Sequence, residues 1–442
     1  MGVCTELIMS VNYLLPLYDD DDDDNDFAIQ MLMDDDDDED PIVFEFMRLR
    51  YQLPDRQPRR RPKHYLTRPE LLPSPRVCSG WQSIYHSRED RAYIHIMGID
   101  VATFDYILTS GFREAWESQP IKRTDTNPSG ASRKGARSLD ATGGLGLALH
   151  FLCSTMSESS LQIIFALTPS TVSRYINFAL DLLLAALEKL PEGRLEWPGE
   201  DVMKENSRLI NAKHSTAKYL DGAFGFMDGL NLPVTTNCLF AVQDPNYNGW
   251  LHSHVVSNIM VFSPDGTIMS AVLNAPGSWH DSNVARPIYS LLRDKTPNGF
   301  FLLADSAFPK LGTGNAQKIK VPLKSGARLR GTYQERQNLK RESKEVTTAR
   351  QAVEWGMRAL QGCFSRLYMP MDTHNVAGRS RLLQVCMWLH NVRTRRVEIN
   401  QIRSVYMPLW DNRHSSRLSD DELFERALQS DRVTQYYLRH NL

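Results

Sequence analysis

The spacing of apolar residues changes twice along the chain. From Trp81 to about His214 apolar residues recur every three or four positions, as in VATFDYILTSGF and LDATGGLGLALHFLCST, which predicts helices. From about Tyr219 short β-rich runs take over, and two of them flank the Pro-Asp-Gly of HVVSNIMVFSPDGTIMSAVLNAPGS, which predicts a hairpin. Helical spacing returns in TTARQAVEWGMRALQGCFSRL. Strand, hairpin, helix, strand and helix in this order predict an α/β layer.

The segment from about residue 159 to 190 predicts two helices joined by a short turn. The first helix is expected to end near Leu167, and Thr168 with Pro169 is a typical cap and first residue of the next helix. An apolar stripe on the second helix leaves its first turn exposed for contact with DNA, as in a helix-turn-helix. An ordinary helical hairpin has the same spacing. The predicted stripe is Val172, Ile176, Ala179 and Leu183, and the predicted DNA-contacting residues are Ser170, Thr171, Ser173 and Arg174.

Charge is distributed unevenly along the 442 residues, although the formal net charge is only -2. Residues 1–40 contain 15 Asp and Glu and no Lys or Arg, so the remainder has 51 basic and 38 acidic residues, a net charge of +13. A basic body indicates a polyanionic partner. The acidic segment itself is either a solvated tail or a binding segment for basic proteins such as histones.

Residues 1–75 are predicted to be a disordered arm, acidic and then basic, because Asp blocks are followed by the proline-interrupted RQPRRRPKHYLTRPELLPSP. The Arg56 to Lys63 cluster is either a nuclear-import signal or a basic tract typical of unfolded arms. The chain has no run of eighteen apolar residues and no basic leader, which predicts neither secretion nor a membrane span. Six scattered cysteines without a CxxC pair favour a reducing compartment.

Three acidic residues fall where a catalytic site can form. Asp228 is predicted to end the first strand in FMDG, Asp305 ends a later strand in GFFLLADSAFP, and Glu354 borders the apolar stripe of the following helix. If the two strands are neighbours, the carboxylates converge, and their repulsion favours a bound divalent cation. Hard oxygen ligands suit Mg²⁺ or Mn²⁺. Each residue alone also has an ordinary explanation, because Asp-Gly is a common turn and an Asp after a strand often caps a helix.

Two further groups of residues are candidates for the same chemistry. In NAPGSWHDSNVA, Asp281 is expected to cap a helix that starts at Ser282, and it could also lie beside the other acids. In WLHSH, His252 and His254 are expected on one face of a strand, and His280 would complete a zinc-like trio. No cysteine or supporting spaced pair accompanies them, so zinc is the weaker hypothesis.

Several motifs occur in series: FMDGLNLPV, NGWLHSHVVSNIMVFSPDGTI, LNAPGSWHDSNVARPIY, GFFLLADSAFP, ARQAVEWGMRALQGCFSRL and CMWLHNVRTRR. Together they resemble the DDE endonuclease domain of PIF/Harbinger-type transposases, and they are most similar to a branch common in fungal genomes. The resemblance covers about residues 216–395, and the preceding helix-turn-helix is also similar to that family's. It implies an RNase H-like fold and a metal-binding catalytic triad of Asp228, Asp305 and Glu354, with Asp281 as a secondary candidate.

The predicted architecture is therefore α/β, with an RNase H-like catalytic domain whose mixed sheet is flanked by helices. An all-α domain with the helix-turn-helix at 76–215 precedes the catalytic domain at 216–395, and 396–442 forms a helical tail. The predicted function is metal-dependent cleavage of DNA phosphodiesters, and strand transfer is a possible second step. The basic segment KIKVPLKSGARLRGTYQERQNLKR is expected to be a loop that neutralises DNA phosphates, with Lys324, Arg328 and Arg330 as its candidate contacts.

Alternative functions and partners stay open on the sequence. One alternative is a domesticated, catalytically inactive DNA- or chromatin-binding protein, and another is a histone-binding module that acts through the acidic arm. The family resemblance implies DNA as substrate and, often, a separate Myb-like DNA-binding partner protein. The predicted location is nuclear, because the Arg56 to Lys63 cluster is a candidate import signal. A second copy of the chain is a further candidate partner.

Overall fold

The computed structural model describes residues 66–121, 137–236, 244–309, 311–312, 314–324 and 326–407, all of which belong to one compact unit. The acidic blocks and the Arg56 to Lys63 tract lie outside these residues, and so does most of the predicted helical tail. Predictions that concern those segments stay predictions. Within the described part of the chain, no helix is long and apolar enough to cross a membrane.

The first half of the described chain is helical, as its apolar spacing predicts. Short 3₁₀ turns and a π-helical kink at Leu108–Phe112 connect several of its helices. The helices are α1 Pro75–Cys78, α2 Gly80–Ser87, α3 Asp90–Met97, α4 Val101–Ile107, α5 Arg113–Ser118, α6 Ala141–Cys153, α7 Glu158–Phe165, α8 Pro169–Leu187 and α9 Glu200–Lys213.

Helices α7 and α8 form the predicted helical pair. Helix α7 ends at Phe165, two residues earlier than expected, and Ala166 takes a left-handed conformation with φ of +51°. Helix α8 begins at Pro169, and the Thr168 hydroxyl lies 2.8 Å from that of Thr171. The four residues of the predicted stripe are buried. Of the predicted DNA-contacting residues, Ser170 is exposed and the other three are half-buried. Their role in DNA binding stays a prediction.

A mixed sheet forms the second half, flanked by helices as predicted. Its order is β4-β3-β1-β5-β6, with the two-residue β2 paired to the start of β3. Pairing is antiparallel between β1, β3 and β4 and parallel between β1, β5 and β6. The strands are β1 Ala223–Pro233, β2 Tyr247–Asn248, β3 Ser253–Phe262, β4 Ile268–Pro276, β5 Phe301–Ala304 and β6 Ile319–Lys320.

The predicted hairpin joins β3 to β4. Gly266 takes φ of +86° in its turn, a conformation that glycine adopts without steric cost. The neighbouring Asp265 accepts hydrogen bonds from the backbone N–H and the hydroxyl of Thr267. Asp265 and Gly266 of the Pro-Asp-Gly motif therefore stabilise the turn that the sequence predicted.

Strand β1 is longer than predicted. It does not end at Asp228 but continues to Pro233, because β3 pairs with it from Phe226 to Pro233. The parallel partner β5 pairs only as far as Met227. Asp228 and Gly229 therefore lie within β1, at the level where its pairing with β5 ends, and they do not form a turn.

The remaining helices are α10 Asp281–Val284, α11 Arg286–Lys295, α12 Tyr333–Cys363, α13 Val376–Arg396 and α14 Gln401–Tyr406. Part of the basic segment predicted as a loop is helical, since α12 starts at Tyr333. The cause is a capping box, in which the Thr332 hydroxyl accepts from the Glu335 N–H and the Glu335 carboxylate accepts from the Thr332 N–H. The apolar stripe predicted for this region is buried, namely Val353, Met357, Leu360, Phe364 and Leu367.

Candidate active site at the edge of the sheet

The first two candidate carboxylates lie side by side because of the register between β1 and β5. Met227 pairs with Ala304 in this parallel pair, so the next residues along the two strands are Asp228 and Asp305. Adjacent strands are about 4.8 Å apart. The parallel ladder stops at this level, which leaves both side chains at the carboxyl ends of the paired segments. Asp305 is half-buried, and the Asp228 side chain is 23% exposed.

Asp281 joins these two residues across the backbone of Gly229. An added Cβ on Gly229 would lie 3.0 Å from Oδ2 of Asp281, so the glycine makes room for that carboxylate. The sequence assigned Asp281 the wrong capping role. His280 is the N-cap, and its Nδ1 accepts from the Ser282 N–H at 3.3 Å, while Asp281 is the first residue of α10. The side chain of Asp281 is thereby free of capping. We call Asp228, Asp281 and Asp305 the acidic centre.

The pKa directions of Asp228 and Asp281 reflect burial first and the charges of neighbouring acids second. Burial raises the pKa of Asp228 above its ordinary value of 3.8, and the charges of Asp305 and Asp281 raise it further, against the opposing effect of Arg350 and the Gly229 N–H. Burial likewise raises the pKa of Asp281, with a further contribution from Asp305. Ionised carboxylates that lie together without enough cationic charge are the usual environment for a divalent cation.

A pH dependence of stability follows from these two raised pKa values. Between about pH 3.8 and the raised pKa values, the folded protein holds protons on Asp228 and Asp281 that the unfolded chain has released. The associated stability is therefore present below about pH 3.8 and is lost as pH rises through the folded pKa values. We therefore expect the Asp228→Asn/Asp281→Asn protein to gain stability relative to wild type from about pH 4 upward, until both carboxyls are ionised.

Denaturant unfolding of both metal-free proteins across this pH range measures the difference. Using the difference cancels the contributions of the other titrating groups, which the two proteins share. A difference that stays constant with pH would show that the two carboxyls are not perturbed.

Arg350 is the principal functional candidate that the sequence interpretation missed. Its Nη1 lies 2.8 Å from Oδ2 of Asp228, and its Nη2 lies 3.5 Å from Oε1 of Glu354. Its side chain is 18% exposed, whereas that of Glu354 is 49% exposed. Glu354 thus reaches the acidic centre through Arg350. The spacing of four residues within one helix could have indicated this pair.

The donor chemistry of the site fits a divalent cation such as Mg²⁺ or Mn²⁺, because the acidic centre presents carboxylate oxygens. No three His, Cys, Asp or Glu side chains among the described residues are already arranged as a complete metal site. The Arg350 guanidinium supplies positive charge next to Asp228 in this arrangement. A cation shared by Asp228 and Glu354 would therefore compete with the Arg350 guanidinium, which contacts both carboxylates.

The three histidines are not gathered into one site. His252 precedes β3 in a left-handed conformation with φ of +50°, so it does not share a strand face with His254. The ring of His254 packs on that of Tyr247, with centroids 5.2 Å apart, and His280 caps α10. Within the described residues, the sequence hypothesis of a zinc-like trio is therefore not supported.

A cleft of about 570 Å³ is lined by residues that follow two members of the acidic centre in sequence, but by none of the three acids themselves. Ser282 and Ser306, which follow Asp281 and Asp305, line it together with Lys324. Lys324, Arg328 and Arg330 are all exposed in the segment between β6 and α12. A larger cavity, of about 960 Å³, is lined by amino-terminal helices and the end of α12 and includes none of these acids.

Comparison with known proteins identifies the segment that carries this site. Residues 227–391 match the family of DDE superfamily endonucleases. The match is a little over a third of the chain, and it includes the acidic centre, Arg350 and Glu354. The amino-terminal helices, with α7 and α8, lie outside it. No curated protein and no solved structure gave a match.

Proposed function

We propose that this protein is a metal-dependent DNA endonuclease of the transposase type, in which the acidic centre holds the metal. The observation that carries the proposal is the convergence of Asp228, Asp281 and Asp305 at the end of the β1–β5 pair, inside the segment that matches DDE endonucleases. The strand order also supports an RNase H-like catalytic domain, with three antiparallel strands followed by two parallel ones. The resemblance of the motif series supports the further proposal that the protein belongs to the PIF/Harbinger group, in a fungal-type branch.

Each acidic residue has a separate role in this proposal. Asp228 and Asp305 are the principal ligands, since they extend from two rigid strands and their positions are fixed by backbone pairing. Asp281 would be the third ligand on the sheet side, and Glu354 would be the ligand from α12. Bound divalent cations lower the pKa of a water or 3′-hydroxyl nucleophile and stabilise the leaving oxygen.

Arg350 has two tasks in this account. Without metal it offsets part of the negative charge at Asp228, and it also pairs with Glu354, which lies one turn further along the same helix. With metal and DNA bound, the guanidinium would be available to a phosphate group of the substrate, to two oxygens of which it can donate parallel hydrogen bonds.

Nicking of supercoiled plasmid DNA by the purified full-length protein tests the proposal. Cleavage is expected with Mg²⁺ or Mn²⁺ and none with EDTA. Tight DNA binding without metal-dependent cleavage would contradict the nuclease and favour the inactive DNA- or chromatin-binding alternative.

The remaining predictions concern location and partners. We propose that the protein acts on DNA in the nucleus, with α7 and α8 as an additional DNA-contacting helix-turn-helix through Ser170, Thr171, Ser173 and Arg174. A separate Myb-like partner is implied by the family resemblance alone, and a second copy of the chain is a further candidate partner.

A further inference from the structure

One side of α12 exposes a continuous line of side chains. The exposed positions follow each other at intervals of three or four residues, which places them on one helical face. Four of the seven are cations, and the single acid is the candidate catalytic residue Glu354. We call this face the α12 stripe; its members are Arg336, Lys340, Lys344, Thr347, Gln351, Glu354 and Arg358.

The other acids of α12 are engaged in local contacts. Glu335 accepts from the N–H of Thr332 in the capping box. Glu342 pairs with Lys320 at 3.6 Å, and Glu345 accepts from the backbone N–H groups that follow α9, at 3.0 and 2.9 Å. These carboxylates therefore neutralise little of the positive charge on the exposed face.

The cations of the α12 stripe are in the opposite situation. Among the described residues, no carboxylate lies within ion-pair distance of Arg336, Lys340, Lys344 or Arg358. Their charge therefore faces solvent without a local counterion. An ordinary solvated helix face would be expected to carry both signs, with pairs spaced four residues apart.

We propose that the α12 stripe is a binding surface for the phosphate backbone of duplex DNA and guides the duplex to the acidic centre; this inference rests on the proposed function. At 1.5 Å per residue, Arg336 lies about 27 Å along the helix from Glu354, the length of about eight base pairs. Lys340 and Lys344 lie between them, about 6 Å apart along the axis, or about every second phosphate of one strand. Arg358 continues the line one turn beyond Glu354.

Binding of a labelled DNA duplex in EDTA, over a series of salt concentrations, tests the stripe without cleavage. The Arg336→Gln/Lys340→Gln/Lys344→Gln protein removes three charges and keeps good helix formers. We expect its affinity at about 0.1 M salt to fall at least about tenfold, and the slope of log K against log salt to become shallower by about two to three.

Two matched variants separate the stripe from general charge effects. Arg91→Gln/Lys213→Gln/Lys295→Gln removes three exposed cations from three other helices and should bind nearly as wild type. Arg336→Lys/Lys340→Arg/Lys344→Arg keeps the stripe's charge and should also bind nearly as wild type. Wild-type affinity and slope in the Gln stripe variant, or equal losses in the stripe and distant variants, would overturn the inference.

The binding result is independent of the nuclease result. A protein that needs the stripe for DNA binding but does not nick plasmid DNA would support the stripe and contradict the proposed function. A protein that nicks plasmid DNA with metal, yet binds the duplex equally well without the stripe charges, would overturn the stripe alone.

Discussion

Asp305→Asn is expected to lower metal-dependent DNA cleavage by about a thousandfold or more, because it removes a charged ligand from the centre of the site. Most substitutions of buried residues lower the free energy of unfolding, whereas this one should leave it unchanged or raise it in the metal-free protein. Asp305 raises the pKa of both Asp228 and Asp281, so its own charge is unfavourable to the metal-free acidic centre. The melting temperature without metal should therefore stay unchanged or increase.

The side chain of Asp305 strengthens this expectation. Among the described residues, no partner forms a hydrogen bond or ion pair with its carboxylate, and its backbone carbonyl, which accepts from the Phe308 N–H, is the same in asparagine. Asp294→Asn, the same substitution at an exposed acid of α11, is the matched control and should change neither cleavage nor stability. An Asp305→Asn protein that melts well below wild type without metal would assign Asp305 a structural role. Cleavage by it at the wild-type rate would remove Asp305 from the site.

Arg350→Gln is expected to destabilise the metal-free protein by about 1–3 kcal/mol, since it removes the guanidinium that pairs with Asp228. The melting temperature should fall by several degrees. Added Mn²⁺ should recover more stability in this variant than in wild type, because a cation then replaces the lost charge without competing with the guanidinium. Thermal melts with and without Mn²⁺ measure both effects.

Arg358→Gln is the matched control for this substitution. Arg358 lies on the same helix, one turn beyond Glu354, and is exposed without an acidic partner among the described residues, so its removal should change stability by less than about 0.5 kcal/mol. Adding Asp228→Asn to Arg350→Gln should restore part of the lost stability, because the two side chains interact directly. An Arg350→Gln protein as stable as wild type would contradict the role of Arg350 as the charge partner of the metal-free site.

The sequence predicted those parts of the fold that depend on local patterns. The Pro-Asp-Gly turn, the buried stripe of α12 and the strand that ends just before Asp305 each have a local cause in side-chain spacing or turn geometry. The proximity of Asp228 and Asp305 required an assumption that two strands were neighbours, because strand pairing is not a local property. The structure supplies that pairing.

The parts that the sequence did not predict depend on distant contacts or on a local signal that was overlooked. Strand β1 passes Asp228 because β3, more than twenty residues later, pairs with it. Asp281 is not the helix cap because His280 is. Its position at the acidic centre requires that residue 229 be a glycine, since a Cβ there would crowd the Asp281 carboxylate. The Thr332–Glu335 capping box is visible in the sequence and could have predicted the start of α12. Part of the segment that was predicted as a loop therefore belongs to α12 and carries residues of the α12 stripe.

Direct titration of the purified protein with Mn²⁺, with the free ion followed by electron paramagnetic resonance, tests the central claim that the acidic centre binds a divalent metal. Wild-type protein should bind Mn²⁺, Asp305→Asn and Asp228→Asn should lose most of that binding, and Arg350→Gln should bind more tightly than wild type. Equal Mn²⁺ binding by wild type and Asp305→Asn would contradict the claim.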